Sequence, residues 1–128
     1  MKIEHAAFQV DDPASVARWY VTHLGLTVKR QQSERPWGCF LADDGDAVML
    51  EFYNNPKVAV PDYRGLNPLL LHLAFKAQDV IDTRARLVAA GATTEGDVVV
   101  TDTGDTVAML RDPWGLALQL VARGEEMI

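Results

Sequence analysis

The fold is decided by a short pattern that occurs twice, first as Ile3-Glu4-His5-Ala6-Ala7-Phe8 and again as Leu70-Leu71-His72-Leu73-Ala74-Phe75. In each copy a histidine lies within an apolar run typical of a β-strand, and a helical pattern that ends at a glycine follows. The two histidines are 67 positions apart, at 5 and 72. A repeat of this length predicts two similar structural units in tandem.

A second pair of segments repeats at nearly the same spacing. Glu51 lies in Val48-Met49-Leu50-Glu51-Phe52, and Gln119 takes the matching place in Leu116-Ala117-Leu118-Gln119-Leu120. Because alternate residues of a strand face the same side, each half places a histidine and a carboxylate or amide on one face of its sheet. The opposite faces carry apolar side chains that are expected to pack under the helices: Phe8, Leu50, Phe52, Leu71, Leu73, Leu118 and Leu120.

Caps and turns complete each half as βαβββ, which predicts an α+β fold of two tandem modules. The first helix begins after the cap Asp12 and ends at Gly25, and the second begins after Asp79 and ends at Gly91. The predicted strands are 2–10, 26–30, 37–42, 47–53, 69–76, 97–102, 106–111 and 116–122. We expect one domain over 1–128, with module 1 at about 1–55, a proline-rich linking loop at 54–68 and module 2 at about 69–123.

The composition limits the possible partners and the compartment. The chain has 128 residues, 48% of them hydrophobic, and a formal net charge of −6. Such an acidic globular chain is not expected to bind nucleic acid, whose phosphates need a basic surface. Its single cysteine, Cys39, excludes an intrachain disulfide and fits a reducing compartment. We found no signal-peptide pattern and no membrane-spanning run, so a cytoplasmic protein without a membrane partner is expected.

The matching polar positions predict a metal site. A buried carboxylate such as Glu51 is unfavourable without a partner, and a cation held with the two imidazoles would provide one. Imidazole, carboxylate and amide oxygen are all ligands of divalent metals, so the predicted set is His5, Glu51, His72 and Gln119. Two alternatives remain open. Each histidine can simply be hydrogen-bonded within the fold, and Glu51 can be paired with Arg30 or Lys76.

Four motifs spread over the chain carry a family resemblance. They are His5-Ala6-Ala7-Phe8-Gln9-Val10, Trp19-Tyr20-Val21-Thr22-His23-Leu24-Gly25-Leu26, His72-Leu73-Ala74-Phe75, and Asp112-Pro113-Trp114-Gly115 leading to Gln119-Leu120. With these motifs the sequence resembles the vicinal oxygen chelate superfamily. That superfamily includes glyoxalase I, methylmalonyl-CoA epimerase, extradiol dioxygenases, and fosfomycin- and bleomycin-resistance proteins.

The resemblance implies a curved mixed-sheet cup around one divalent metal ion, with the helices on its outer face. The ligand positions of metal-binding members match His5, Glu51, His72 and Gln119. The ion would be Ni, Zn, Mn, Co or Fe, and it would chelate two neighbouring oxygens of a small-molecule substrate. Members often pair modules between chains, so the resemblance also implies a homodimer.

Gln119 departs from the family pattern, because the last strand usually offers a glutamate there. Glutamine can coordinate through its carbonyl oxygen but cannot act as a base, which leaves Glu51 as the candidate catalytic carboxylate. The leading interpretation is a metal-dependent, glyoxalase-like lyase or isomerase. Alternatives are a metal-free, drug-sequestering protein of the bleomycin-resistance type, an extradiol-dioxygenase-like oxidoreductase, and a duplicated scaffold that serves protein association.

Overall fold

The computed structural model, which describes all 128 residues, contains two βαβββ units in tandem. The first unit covers Met1–Pro61 and the second Asp62–Ile128. Each has an open four-stranded mixed sheet and one helix of ten or twelve residues. The prediction of an α+β fold built from two βαβββ modules is therefore confirmed.

The first unit has the sheet order β1-β4-β3-β2, in which β1 and β4 are parallel and the other neighbours antiparallel. Its elements are β1 His5–Gln9, α1 Pro13–Leu24, β2 Thr27–Gln31, β3 Cys39–Ala42 and β4 Met49–Tyr53. Helix α1 begins as predicted, because the Asp12 carboxylate accepts a hydrogen bond from the backbone N–H of Ser15 at 3.0 Å. It ends at Gly25, whose φ of 75° is the left-handed conformation that glycine adopts easily.

One face of the first sheet is covered by α1. The ring of Tyr20 packs against that of Phe52 with centroids 4.7 Å apart, and both side chains are fully buried. Phe8, Leu41 and Leu50 are buried as well. The residues that alternate with them lie on the face opposite α1, and this open face contains the candidate site.

The second unit repeats the arrangement with the sheet order β5-β8-β7-β6, in which β5 and β8 are parallel. After a 3₁₀ turn at Tyr63–Gly65, its elements are β5 Leu73–Lys76, α2 Val80–Ala89, β6 Thr93–Val100, β7 Thr106–Arg111 and β8 Ala117–Ala122. Its fully buried core includes Leu87 from α2 and the strand residues Leu110, Leu118 and Leu120. Neither helix is long and apolar enough to span a bilayer.

The prediction of a strand over 69–76 was wrong in its first half, because β5 begins only at Leu73. Asn67 precedes a proline, and its side-chain oxygen accepts the backbone N–H of Leu69 at 2.9 Å. Its carbonyl oxygen accepts the N–H of Leu70 at 2.9 Å. This turn overrides the apolar run. As a result Leu71, which we expected to pack under a helix, is 40% exposed.

Strand β6 also differs from its prediction. It begins at Thr93 rather than near residue 97, and it ends at Val100. The pairing with β7 is irregular between Glu95 and Val99, and Gly96 lies within this irregularity with a φ of 78°. A glycine inside a strand marks such an irregularity, so the strand continues through a position that broke the sequence pattern.

Candidate functional site

The open face of the first sheet brings His5 and Glu51 together. Ala7 of β1 pairs with Glu51 of β4, and His5 lies two residues before Ala7 on the same face of the sheet. The Nε2 atom of His5 is 3.5 Å from the Oε2 atom of Glu51. The Glu51 side chain is only 19% exposed, so the carboxylate is largely withdrawn from water. Of the two partners considered from sequence, Lys76 pairs instead with Glu126.

The other ring nitrogen of His5 is held by its neighbour in sequence. Nδ1 is hydrogen-bonded to the Glu4 carboxylate. This hydrogen bond is the main cause that raises the pKa of His5; partial burial opposes the rise, and the charges of Glu4 and Glu51 add to it. The arrangement fixes the ring with Nδ1 toward Glu4 and Nε2 toward Glu51.

His72, the matching residue of the second unit, is held in the same way by the backbone. Its Nδ1 lies 2.8 Å from the carbonyl oxygen of Pro68. A carbonyl oxygen can only accept, so Nδ1 donates this hydrogen bond, and the bond does not engage Nε2. His72 lies just before β5, so the prediction that this histidine lies within a strand was wrong.

Gln119 occupies the position in the second sheet that Glu51 has in the first. It lies in β8, where it pairs with Ala74 of β5 and with Met109 of β7. Glu51 likewise pairs with Ala7 and with Phe40. Residues directly opposite each other share a sheet face, so the two polar side chains have equivalent neighbours in their own units.

Phe40 and Arg30 extend the cluster on the first sheet. The ring of Phe40 meets the His5 ring edge-on at 5.7 Å, and the Arg30 guanidinium lies over the Phe40 ring at 5.9 Å from its centroid. The sequence offered Arg30 only as a possible ion-pair partner of Glu51 and did not indicate this contact with Phe40. The signal was hidden because the β2–β3 register shifts between Val28 and Arg30.

Gly38 allows the backbone to pass close to this cluster. A Cβ atom at that position would lie 3.3 Å from Oε1 of Glu51 and 3.0 Å from Oε1 of Gln32. The Gln32 side chain accepts the N–H of Gly38 at 3.1 Å. A larger residue here would displace Glu51 or Gln32, so the glycine keeps the Glu51 carboxylate in its place.

The other cysteine and histidine side chains of the chain have structural roles. Cys39 is 1% exposed, and burial raises the pKa of its thiol, so it belongs to the core. The ring of His23 lies 5.4 Å from that of Trp19 within α1. No group of three or more His, Cys, Asp and Glu side chains is gathered anywhere in the chain in a way that could hold a metal ion. The predicted ligands that the structure brings together are therefore His5 and Glu51.

Two βαβββ units with polar residues at equivalent positions define a class of duplicated α+β folds. The chain belongs to the Glyoxalase/Bleomycin resistance protein/Dioxygenase superfamily, whose family model matches residues 2–120. The resemblance predicted from the four motifs is thus confirmed. Among curated proteins, no sequence matches the chain.

Solved structures with the same fold cover nearly the whole chain. The protein SMU.1112c is 32% identical, with a TM-score of 0.71, over 95% of this chain and 98% of that one. TnmS3, an antibiotic binding protein from Streptomyces sp. CB03234, is 21% identical, with a TM-score of 0.74, over 97% of both chains. A glyoxalase family protein from Bacillus cereus is 16% identical, with a TM-score of 0.73, over 96% of this chain and 93% of that one.

Proposed function

We propose that this protein is a divalent-metal-dependent, glyoxalase-like lyase or isomerase that acts on a small molecule with two neighbouring oxygens. The proposed metal ligands are His5, Glu51, His72 and Gln119. The observation that carries the proposal is the state of the two repeat-related histidines. In both, an oxygen acceptor engages Nδ1, on Glu4 for His5 and on Pro68 for His72. Metal-binding histidines are characteristically oriented in this way, with the other nitrogen left for the ion.

The donor set fits a borderline divalent ion. It combines two imidazole nitrogens, one carboxylate and one amide oxygen, and Ni, Zn, Mn, Co and Fe all accept such ligands. In the first unit Nε2 of His5 and Oε2 of Glu51 face each other at 3.5 Å, so one cation can neutralise the carboxylate and bind the imidazole. When bound, the ion supplies Lewis-acid stabilisation of an oxyanion or enolate on the substrate.

We assign proton transfer and ligand binding to different protein residues. Glu51 is the one carboxylate among the four proposed ligands, so we assign to it the transfer of a substrate proton. The amide of Gln119 cannot accept a proton in this way and serves only to bind. Phe40 lies edge-on against the His5 ring and packs on one side of the imidazole. In the same proposal the protein is a cytoplasmic homodimer with a small-molecule partner.

One observation favours a second candidate, a metal-free protein that sequesters a drug. The chain shares its fold with TnmS3, an antibiotic binding protein, and no three metal-ligating His, Cys, Asp or Glu side chains are clustered in it. In this role His5, Glu51 and Phe40 would contact the drug directly. The acidic net charge of −6 suits a cationic drug.

Metal content separates the two candidates. We expect about one divalent ion per chain in the purified and metal-reconstituted wild type, and loss of most of it in His72→Ala, because a ligand nitrogen is removed. His23→Ala is the matched control, since it deletes the third histidine of the chain, which packs on Trp19. The measurement is elemental analysis after dialysis. Equal metal in His72→Ala and wild type, or no metal in any variant, would exclude the metalloenzyme and favour the drug-binding protein.

A further inference from the structure

The open face of the first sheet carries a cation that the proposed chemistry does not use. Arg30 lies near the end of β2, directly opposite Phe40 of β3, which in turn lies opposite Glu51 of β4. The three residues form one row across three strands. His5 joins the row through its ring contact with Phe40 and its approach to Glu51.

A β-bulge directs Arg30 toward this row. Val28 pairs with Leu41, which is fully buried against the helix layer, whereas Arg30 pairs with Phe40 on the open face. Residues two apart in a regular strand face the same side, so without the irregularity Arg30 would share the face of Val28. The extra residue, Lys29, shifts the alternation by one. Bulges are known to re-aim side chains near functional sites in this manner.

The charge of Arg30 is unpaired, in contrast to that of its neighbour. The Lys29 ammonium lies 2.8 Å from the Asp46 carboxylate. Arg30 is exposed and makes no ion pair, and its guanidinium carbon lies over the Phe40 ring, 5.9 Å from the ring centroid. This cation–π contact leaves the guanidinium N–H donors free, and a carboxylate or phosphate can accept two of them.

From this placement we infer that Arg30 is a specificity-determining residue that binds an anionic group, a carboxylate or a phosphate, on the small molecule held at His5 and Glu51. Neighbouring strands lie roughly 4.8 Å apart, so two strand spacings separate the backbones of Arg30 and Glu51 by about 10 Å. That distance suits a ligand whose anionic end lies a few bonds from its two chelating oxygens. The inference rests on the proposed function for the chelating end of the ligand.

Two probes with the same hydroxamate oxygens test the inference. Acetohydroxamic acid has no charged group other than its hydroxamate, whereas succinohydroxamic acid also carries a carboxylate. We expect the wild-type protein, loaded with Ni²⁺ or Zn²⁺, to bind the succinyl probe about tenfold more tightly, the effect of one charge-assisted hydrogen-bonded pair. Arg30→Gln should remove this preference and leave the affinity for acetohydroxamic acid unchanged. Arg30→Lys should keep part of it, and Lys29→Gln, the matched change of charge next in sequence, should keep all of it.

Calorimetric titrations with and without the metal distinguish the two possible failures. If both probes bind wild type equally, or if Arg30→Gln retains the preference, the role of Arg30 is excluded while metal-dependent binding of acetohydroxamic acid still supports the metal site. If chelation of the metal leaves acetohydroxamic acid binding unchanged, the proposed metalloenzyme fails. In that case the role of Arg30 is tested by comparing the affinities of the metal-free protein for the two probes. Equal affinities, or no binding of either probe, would overturn the inference.

Discussion

The two repeat-related histidines make the same type of hydrogen bond through Nδ1, although different groups accept it. His5 is oriented by the side chain of Glu4, and His72 by the backbone carbonyl of Pro68. Both acceptors engage Nδ1 and leave Nε2 for another partner. A purely structural role would not require that the histidines at both equivalent positions bond through Nδ1. This shared orientation is the one expected if both histidines bind the proposed ion.

Asp112 has a structural role that can be tested at the level of one residue. Its side chain is 1% exposed and accepts the backbone N–H groups of Trp114 and Leu116 at 2.9 and 3.0 Å. Asp112→Ala should lower the free energy of unfolding by about 2–3 kcal/mol, because buried donors lose their acceptor. Urea denaturation measures this. Asp112→Asn, which keeps one acceptor oxygen, should lose less, and the exposed control Asp102→Ala should change stability by less than about 0.5 kcal/mol. A similar loss in both alanine variants would refute this role.

Asp112-Pro113-Trp114-Gly115, one of the four family motifs, forms a turn closed by a hydrogen bond from the Gly115 N–H to the Asp112 carbonyl oxygen at 3.0 Å. Aspartate, proline and glycine in this order are typical of a turn, but they do not reveal all of its contacts. Gly115, however, has a φ of 101°, and a Cβ atom there would lie 2.9 Å from the backbone nitrogen of Arg64. That contact joins residues far apart in sequence. Local turn chemistry cannot reveal it, because it depends on tertiary packing.

At the level of elements, helix α1 offers a prediction about pH. Hydrogen bonds from the Ser15 hydroxyl and backbone N–H hold the pKa of Asp12 below its usual value. A carboxylate whose folded pKa is lowered stabilises the fold above its unfolded pKa, and this contribution is lost as the pH falls through the folded pKa. Asp12→Ala should therefore cost about 1 kcal/mol near neutral pH, and the difference from wild type should shrink below about pH 4.

Urea denaturation of wild type and Asp12→Ala at several pH values measures this difference. Asp11→Ala is the control, because Asp11 is the neighbouring exposed acid and does not cap the helix. The control should follow the stability of the wild type closely. A difference between wild type and Asp12→Ala that persists undiminished in acid would contradict the assignment of the cap to an ionised carboxylate.

The helices and most strands were predictable from sequence because their signals are local. The caps Asp12 and Asp79 and the terminating glycines gave the bounds of both helices to within a residue. The side on which Arg30 lies was not predictable, since one bulge residue reverses the alternation of a strand. The start of β5 was missed for a different reason, because the Asn67 turn competes with an apolar run that resembles a strand.

At the level of the whole molecule, the strands of the two units pair in equivalent registers, each within its own sheet. Glu51 pairs with Ala7 and Phe40 in the first sheet, and Gln119 pairs with Ala74 and Met109 in the second. Sequence spacing alone predicted that the two residues correspond, and the pairing confirms the correspondence. Glu51 is a carboxylate and Gln119 is an amide, so the two equivalent positions differ in charge. Neither the spacing nor the register shows what this difference does to the site.

This difference in charge provides the last prediction. If Gln119 is a ligand of the proposed ion, Gln119→Glu adds a negative charge and a stronger oxygen donor to the site. Charge-assisted contacts are roughly twice as strong as neutral ones, so divalent-metal affinity should rise by about tenfold or more. Competition titration against a chelator measures the affinity. Gln78→Glu, the same chemical change at an exposed position that precedes α2, should leave it unchanged. Because Gln119 is only partly buried, the fold should tolerate the substitution, so an unchanged affinity would exclude Gln119 as a ligand rather than report misfolding.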